Sequence, residues 1–185
     1  VSSTIGEGPK TYNPFNTKDA TSSTMAEIMY DGLVSTKADT GEVVPKLAKS
    51  FEISPDGKTY TIKLRHGVKW SDGKLITADD VVFTWNDIIL AGLGNTSTRD
   101  SVVIDGQLPK VKKIDDYTVE FITIKPFAPF LRILSAPIAP KHVFEPAVKK
   151  GAKSFDSFLS TTTKPENFVT SGAFRLKEYV PVQRI

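Results

Sequence analysis

The sequence predicts a mixed α+β fold of the broad α/β class, with antiparallel hairpins and helices interleaved along the chain. Three observations predict it. Phe51 and Ile53 alternate with polar residues before Pro55-Asp56-Gly57, and Tyr60, Ile62 and Leu64 alternate with Thr59, Thr61 and Lys63 after it, the pattern of a hairpin closed by a tight turn. Thr77-Ala78-Asp79-Asp80 has the spacing of a capping box and opens a run with Val82, Trp85 and Ile89 on one helical face. Thr21–Tyr30 also repeats apolar side chains at helical spacing.

Taken in order, Val1–Ile5 reads as a short strand, and Gly6-Glu7-Gly8-Pro9 as a turn crossing a surface. Asn13-Pro14 is a second turn. The helix over 21–30 is expected to start on a Ser or Thr cap and to carry Met25, Ile28 and Met29 on one face. Gly32 is expected to end it in the left-handed conformation. Residues 33–50 read as irregular, with Thr40-Gly41 as a turn and Pro45 as a breaker. After the hairpin and the Asp72-Gly73 turn comes the capped helix, flanked by Val81 and Ile88 and ended by Gly92 and Gly94. Residues 95–108 read as loop. Val111–Ile114 and Tyr117–Ile124 read as strands joined at Asp115-Asp116. Phe127–Leu134, His142–Lys150 and Phe155–Leu159 read as helices, with Pro137 and Pro140 as breaks, and Phe174–Val180 as a strand. Ile185 follows that strand without a polar tail, so the chain is expected to be a piece of a longer protein. No internal repeat or low-complexity tract is visible.

A chain of 185 residues buries about 70% of its unfolded surface and needs no disulfide or metal staple. Its 39% hydrophobic, 24% charged and 10% aromatic residues argue against disorder. The net charge of +3 is too small to imply a nucleic-acid partner. Lys110, Lys112 and Lys113, and then Lys149, Lys150 and Lys153, are the densest basic groups and read as solvated loop faces. The absence of cysteine excludes disulfides, thiolate metal sites and cysteine nucleophiles, and leaves the compartment open. The apolar runs are too short to span a membrane. No signal peptide is visible, and a leader or lipid anchor is expected to lie outside this chain. One sequon, Asn95-Thr96-Ser97, is too short a pattern to argue glycosylation alone.

Catalytic and metal chemistry finds little support. His66 and His142 lack companions at metal-ligand spacing, and His66 adjoins Arg65, so both read as structural. Asp79-Asp80 is explained by helix capping and the helix dipole, and Asp115-Asp116 by a turn. A glycosidase pair would have to face across a cleft, which adjacency does not establish. Gly92-Leu93-Gly94 follows a helix instead of a strand and has Ser97 where a third glycine belongs, so it is no dinucleotide loop. No Gly-x-Ser-x-Gly elbow or phosphate-binding loop is present. Trp70 and Trp85 sit at core periodicities, not on a base-stacking platform. No metal, cofactor or catalytic residue is expected.

One long stretch resembles a known family. Val44-Pro45-Lys46-Leu47-Ala48-Lys49-Ser50-Phe51 leads into Ile53-Ser54-Pro55-Asp56-Gly57-Lys58-Thr59-Tyr60-Thr61, then Leu64-Arg65, Gly67-Val68-Lys69-Trp70-Ser71-Asp72-Gly73 and Thr77-Ala78-Asp79-Asp80-Val81-Val82-Phe83. This run is similar to the family 5 extracellular solute-binding proteins of bacterial ABC importers, which carry oligopeptides, dipeptides or nickel. Tyr12-Asn13-Pro14-Phe15, Tyr30-Asp31-Gly32-Leu33-Val34, Asp116-Tyr117-Thr118-Val119 and Ser171-Gly172-Ala173-Phe174-Arg175-Leu176-Lys177-Glu178-Tyr179 resemble further family segments.

The resemblance implies a periplasmic-binding-protein-like type II fold. Family members are longer and close two lobes over the solute. Residues 1–32 and 172–185 would belong to the first lobe's sheet, 33–171 would form the family's extra α+β subdomain, and the second lobe would be absent. The implied function is capture of oligopeptides outside the cytoplasm for delivery to the membrane permease subunits, without enzymatic activity. A nickel complex or oligosaccharide as solute, or a sensor role, is the alternative. The expected protein is a monomer in the periplasm or at the cell surface, with no nucleic-acid partner and no cofactor. Glu7, Gly8 and Pro9 match the loop after the family's first strand, which approaches ligand. Ser135, Ala136 and Pro137 match a subdomain segment near the cleft. With half of the burying surface missing, this chain alone is expected to bind peptide weakly.

Overall fold

The structure, a computed structural model, describes residues 8–178. The chain runs through α1 (Ala20–Met29), β1 (Val34–Thr36), β2 (Val43–Pro45), β3 (Ala48–Ile53), β4 (Thr59–Leu64), α2 (Ala78–Phe83), a π-helical continuation (Thr84–Ile89) and α3 (Ser97–Ser101). There follow β5 (Lys110–Asp115), β6 (Thr118–Ile122), α4 (Phe130–Ile133), α5 (Lys141–Lys149), α6 (Ala152–Ser157) and a 3₁₀ turn at Pro165–Asn167. The expected Val1–Ile5 strand lies outside the described residues.

The main sheet has the order β3-β4-β6-β5, antiparallel throughout. The predicted hairpin is its first half: Phe51 pairs with Ile62 and Ile53 with Tyr60. Gly57 turns the chain at φ +68°, where a side chain would be strained, and donates its N–H to the Ser54 carbonyl at 2.8 Å. Alternation then sorts the faces. Tyr60, Ile62 and Leu64 of β4 and Val119 and Phe121 of β6 are buried, with Tyr60 opposite Phe121 and Ile62 opposite Val119. The outer strands carry exposed Lys49 and Glu52 on β3 and Lys110, Lys112 and Lys113 on β5, charges that discourage pairing with another chain. Lys113 binds Asp79 at 2.9 Å and Asp116 at 2.7 Å.

Several elements differ from the sequence expectation. Asp19, not a Ser or Thr, caps α1, accepting the Ser22 N–H at 2.8 Å. The buried face of α1 is Ser22, Ala26 and Met29, while Ile28 is exposed, because the segment 10–12 and the core cover that side. Gly32 does not have a positive φ; a close backbone approach requires it instead. The segment 33–50 holds the β1–β2 hairpin, with Ser35 opposite Val44 and Pro45 as the last residue of β2. The segment 95–108 contains α3 and an Ile104–Gln107 bridge. Phe174–Glu178 form no strand, and Phe174 is exposed; the rest of that expected strand lies outside the described residues.

The capping box forms as expected, with the Thr77 N–H donating to Asp80 Oδ2 at 3.0 Å. Past Phe83 the helix widens to a π register, in which Leu90 N–H reaches the Trp85 carbonyl at 2.8 Å and Leu93 N–H the Ile88 carbonyl at 3.0 Å. Val81, Trp85, Ile88 and Ile89 face the core, and Val82 is only partly covered.

One hydrophobic cluster runs from Tyr12 to Phe168. Trp85 meets Phe121 edge-on at 5.1 Å and Tyr60 lies 4.8 Å from Phe130. Phe144 takes Phe15, Tyr30 and Phe158 edge-on. Trp70 and Trp85 are both buried, as core residues should be. Among the described residues no helix is long and apolar enough to cross a membrane.

Candidate solute-binding site

The site begins with the turn at Asn13-Pro14. The buried Asn13 side chain donates to the Phe155 carbonyl at 3.0 Å and accepts the Phe15 N–H at 3.0 Å. That pair of bonds explains why an asparagine precedes the proline, and it sets Pro14 on one wall. The Asp19–Ser22 cap then fixes the start of α1: Ser22 Oγ donates to Asp19 Oδ2 at 2.7 Å and accepts the Lys10 N–H at 2.9 Å.

At the other end of α1, Asp31–Leu33 is laced to residues 134–138. Leu33 N–H donates to the Leu134 carbonyl and Ile138 N–H to the Asp31 carbonyl, each at 3.0 Å. Gly32 lies against Ser135 so closely that a Cβ would sit 2.2 Å from the Ser135 carbonyl oxygen. Only a residue without a side chain permits this approach.

These contacts enclose a pocket of about 580 Å³. Its walls are Pro14 and Thr17, the α1 side chains Ser23, Ala26 and Glu27 with Tyr30 beyond the helix end, Gly32, the three residues of β1, Lys46, Thr98, Ser135 and Pro137. Hydroxyl groups dominate the polar lining. Lys46 Nζ lies 2.7 Å from Asp31 Oδ1. The Tyr30 hydroxyl is buried without a hydrogen-bond partner, and burial pushes its ionisation far above the usual phenol range. β1 pairs with β2 along one edge, and no described strand covers the other. Such a wall can meet an extended solute with hydroxyls, a strand edge and few fixed charges.

The expected ligand residues divide. Ser135 and Pro137 line the pocket. Ala136, with Pro137, lines an adjoining cavity of about 70 Å³ shared with Pro14, Thr17 and Thr98. Gly8 and Pro9 are half-buried and line neither cavity, and Glu7 lies outside the described residues. Among the described residues, Gly8 and Pro9 are thus not brought to the pocket that Ser135 and Pro137 line. Sequence reasoning missed the contributions of α1 and β1 and of Lys46 and Thr98. The available signal was Gly32, a glycine at a helix end that marks a close approach.

The two histidines, Asp72 and Asp115 lie outside the pocket and have structural partners. His142 Nε2 lies 2.7 Å from Asp72 Oδ2, and His66 stacks on Tyr117 at 4.0 Å. Asp115 accepts the Tyr117 N–H at 2.7 Å, as its turn role required. Among the described residues no group of three or more His, Asp or Glu side chains is placed to hold a metal ion.

Comparison with known proteins extends this picture. The model of the bacterial extracellular solute-binding proteins, family 5 (middle), matches residues 42–185. The dipeptide-binding protein of Escherichia coli is 34% identical over 197 residues, covering 97% of this chain and 34% of that protein. The oligopeptide-binding protein OppA of Haemophilus influenzae, solved in complex with RPPGFSPFR, superposes with a TM-score of 0.76 at 27% identity, covering 95% of this chain and 35% of that one. The periplasmic binding protein MelB of Agrobacterium fabrum, solved with stachyose, superposes at 0.77 with 27% identity, covering 96% and 28%. The chain therefore spans about a third of the length of the relatives it matches. Its fold is that of the periplasmic binding proteins, as the resemblance implied. The chain belongs to the bacterial extracellular solute-binding proteins of family 5.

Proposed function

We propose that this chain is part of the substrate-binding component of an ABC importer, that it captures peptides outside the cytoplasm, and that it delivers them to membrane permease subunits. The observation that carries the reading is the 580 Å³ pocket, walled by hydroxyl side chains and by β1, whose second edge no described strand pairs, in a chain similar to proteins named for peptide binding. An extended peptide satisfies such a wall by its own backbone groups, so no single side chain need dominate. Ser135, Ala136 and Pro137 form part of the solute wall, and Glu7, Gly8 and Pro9 contact solute from a separate loop.

The reading assigns no catalysis. Asp79, Asp80, Asp115, Asp116, Asp72 and His142 are engaged in a cap, a turn and ion pairs. It assigns residues 1–32 and 172–185 to a first lobe and 33–171 to an inserted subdomain. Supporting this division, Gly172 N–H donates to the Met29 carbonyl at 2.9 Å and Asp31 N–H to Ser171 Oγ at 2.8 Å, so the two crossing points lie side by side. The protein acts as a monomer in the periplasm or at the cell surface.

An oligosaccharide is the second reading, favoured by the hydroxyl-rich wall and by the likeness to the stachyose-bound protein. Calorimetric titration separates the two. Peptides of roughly two to nine residues, and stachyose, are added to the 185-residue chain and to that chain within its full-length gene product. Peptide heat from the full-length product, with weaker binding by the 185-residue chain, is the expected result. Heat with stachyose alone selects the second reading. Silence with both solutes overturns both readings.

A further inference from the structure

The charges facing the large pocket do not balance. Two ionic side chains line it, Glu27 and Lys46. Lys46 is already matched: its ammonium is 2.7 Å from Asp31, whose side chain is only 18% exposed. Glu27 is exposed and pairs with no cation among the described residues. It also stands in the last turn of α1, which contains no basic residue, so the negative end of the helix dipole adds to its charge instead of being offset. Ser23 lies one helical turn earlier and lines the same pocket, which puts a hydroxyl acceptor beside the carboxylate. A pocket wall with one uncompensated carboxylate, a neighbouring hydroxyl and a helix C-terminus is complementary to a multi-donor cation.

We propose that Glu27, with Ser23 beside it, makes this wall specific for a cationic side chain of the solute, the ammonium of a lysine or the guanidinium of an arginine. The proposal rests on the reading of the pocket as a peptide site. Lobe closure would desolvate the pair, which strengthens it relative to an exposed ion pair.

The test uses the full-length gene product and tripeptides that differ only at the central residue, lysine against norleucine, each with a free and an acetylated amino terminus. The lysine peptide should bind roughly fivefold to tenfold tighter, and acetylation should leave that ratio intact. Glu27→Gln should abolish the preference by weakening the lysine peptide, and Glu27→Lys should reverse it. A thermal melt of each variant confirms that the fold is retained, as an exposed helical position predicts. A lysine preference that survives in Glu27→Gln overturns the proposal, as does no preference in the unsubstituted protein. A preference that disappears on acetylation makes the discrimination depend on the free terminus and overturns the assignment to the side chain and Glu27 alone. Failure of the unsubstituted protein to bind any of the peptides overturns the peptide reading itself.

Discussion

Asp80 gathers donors from three parts of the chain: Trp70 Nε1 at 3.3 Å, the Thr77 N–H at 3.0 Å and the Lys141 N–H at 2.9 Å. It is buried, and burial pushes its carboxyl up despite those hydrogen bonds. Asp80→Ala would leave these donors without an acceptor and should lower unfolding free energy by about 3 kcal/mol or more, read from urea denaturation. Asp72 behaves in the opposite sense. Burial alone would raise it, but the Lys74 N–H and the His142 ring outweigh that and hold it below the ordinary carboxylate range. A depressed carboxyl stabilises above its unfolded pKa, and that contribution disappears as pH falls through the folded value. Asp72→Asn should therefore flatten the loss of stability below about pH 4, measured as denaturation midpoint against pH. An equally steep decline in the variant would assign the acid sensitivity to other carboxylates. The cap at Asp80 was legible because a Thr-x-x-Asp spacing acts locally. Its bonds to Trp70 and Lys141 were not, since they depend on where two distant turns arrive.

Local chemistry decides which elements the sequence reveals. The β3–β4 hairpin was legible because Pro55-Asp56-Gly57 and the strict alternation around it specify turn and register together. The β1–β2 hairpin has three residues a strand and was missed; contacts with a distant segment, such as Leu33 N–H to the Leu134 carbonyl at 3.0 Å, help to hold it. The stripe after Asp80 fits two neighbouring helical faces, Val82-Trp85-Ile89 and Val81-Trp85-Ile88, and periodicity alone does not choose between them; the structure buries Val81 and Ile88 with Trp85 and leaves Val82 partly covered. In α1 the apolar periodicity of Met25, Ile28 and Met29 outweighed the polar Ser22, which is buried because it serves two backbone donors, Lys10 and Thr11. The same bias hid the pocket, whose α1 face carries Ser23 and Glu27 beside Ala26. The α1 cap offers a direct check. Asp19 accepts from both the Ser22 backbone and its hydroxyl, and its carboxyl is held below the usual range first by the Ser22 N–H. Asp19→Ala should cost about 1 kcal/mol, seen as a lower melting temperature, and Asp19→Asn should recover most of it.

At the scale of the whole chain, the proposed division at residues 32 and 172 follows connectivity, while the core ignores it. Tyr12 meets Phe168 edge-on at 5.2 Å, Phe15 meets Phe144 at 5.8 Å, and Tyr12 N–H donates to the Leu159 carbonyl at 2.9 Å. Tyr12, Phe15, Met29 and Tyr30 thus belong to the same hydrophobic cluster as the sheet and helices of 33–171. Segments that share a core lose its burial together, so they should unfold together. Differential scanning calorimetry of the 185-residue chain should show one transition whose calorimetric and van't Hoff enthalpies agree. Specific enthalpies near 60 °C put a unit of the full 185 residues at about 130 kcal/mol, and a unit of 33–171 alone at about 100 kcal/mol. A single transition near the larger value would mean that the first-lobe segments are built into the subdomain's core, and that the wall formed by Pro14, α1 and Ser135 is rigid before solute arrives. Two resolved transitions, or a calorimetric enthalpy well above the van't Hoff value, would mean that α1 moves separately from the β1 and Ser135 side, and the pocket would then have to be ordered by the solute that it binds.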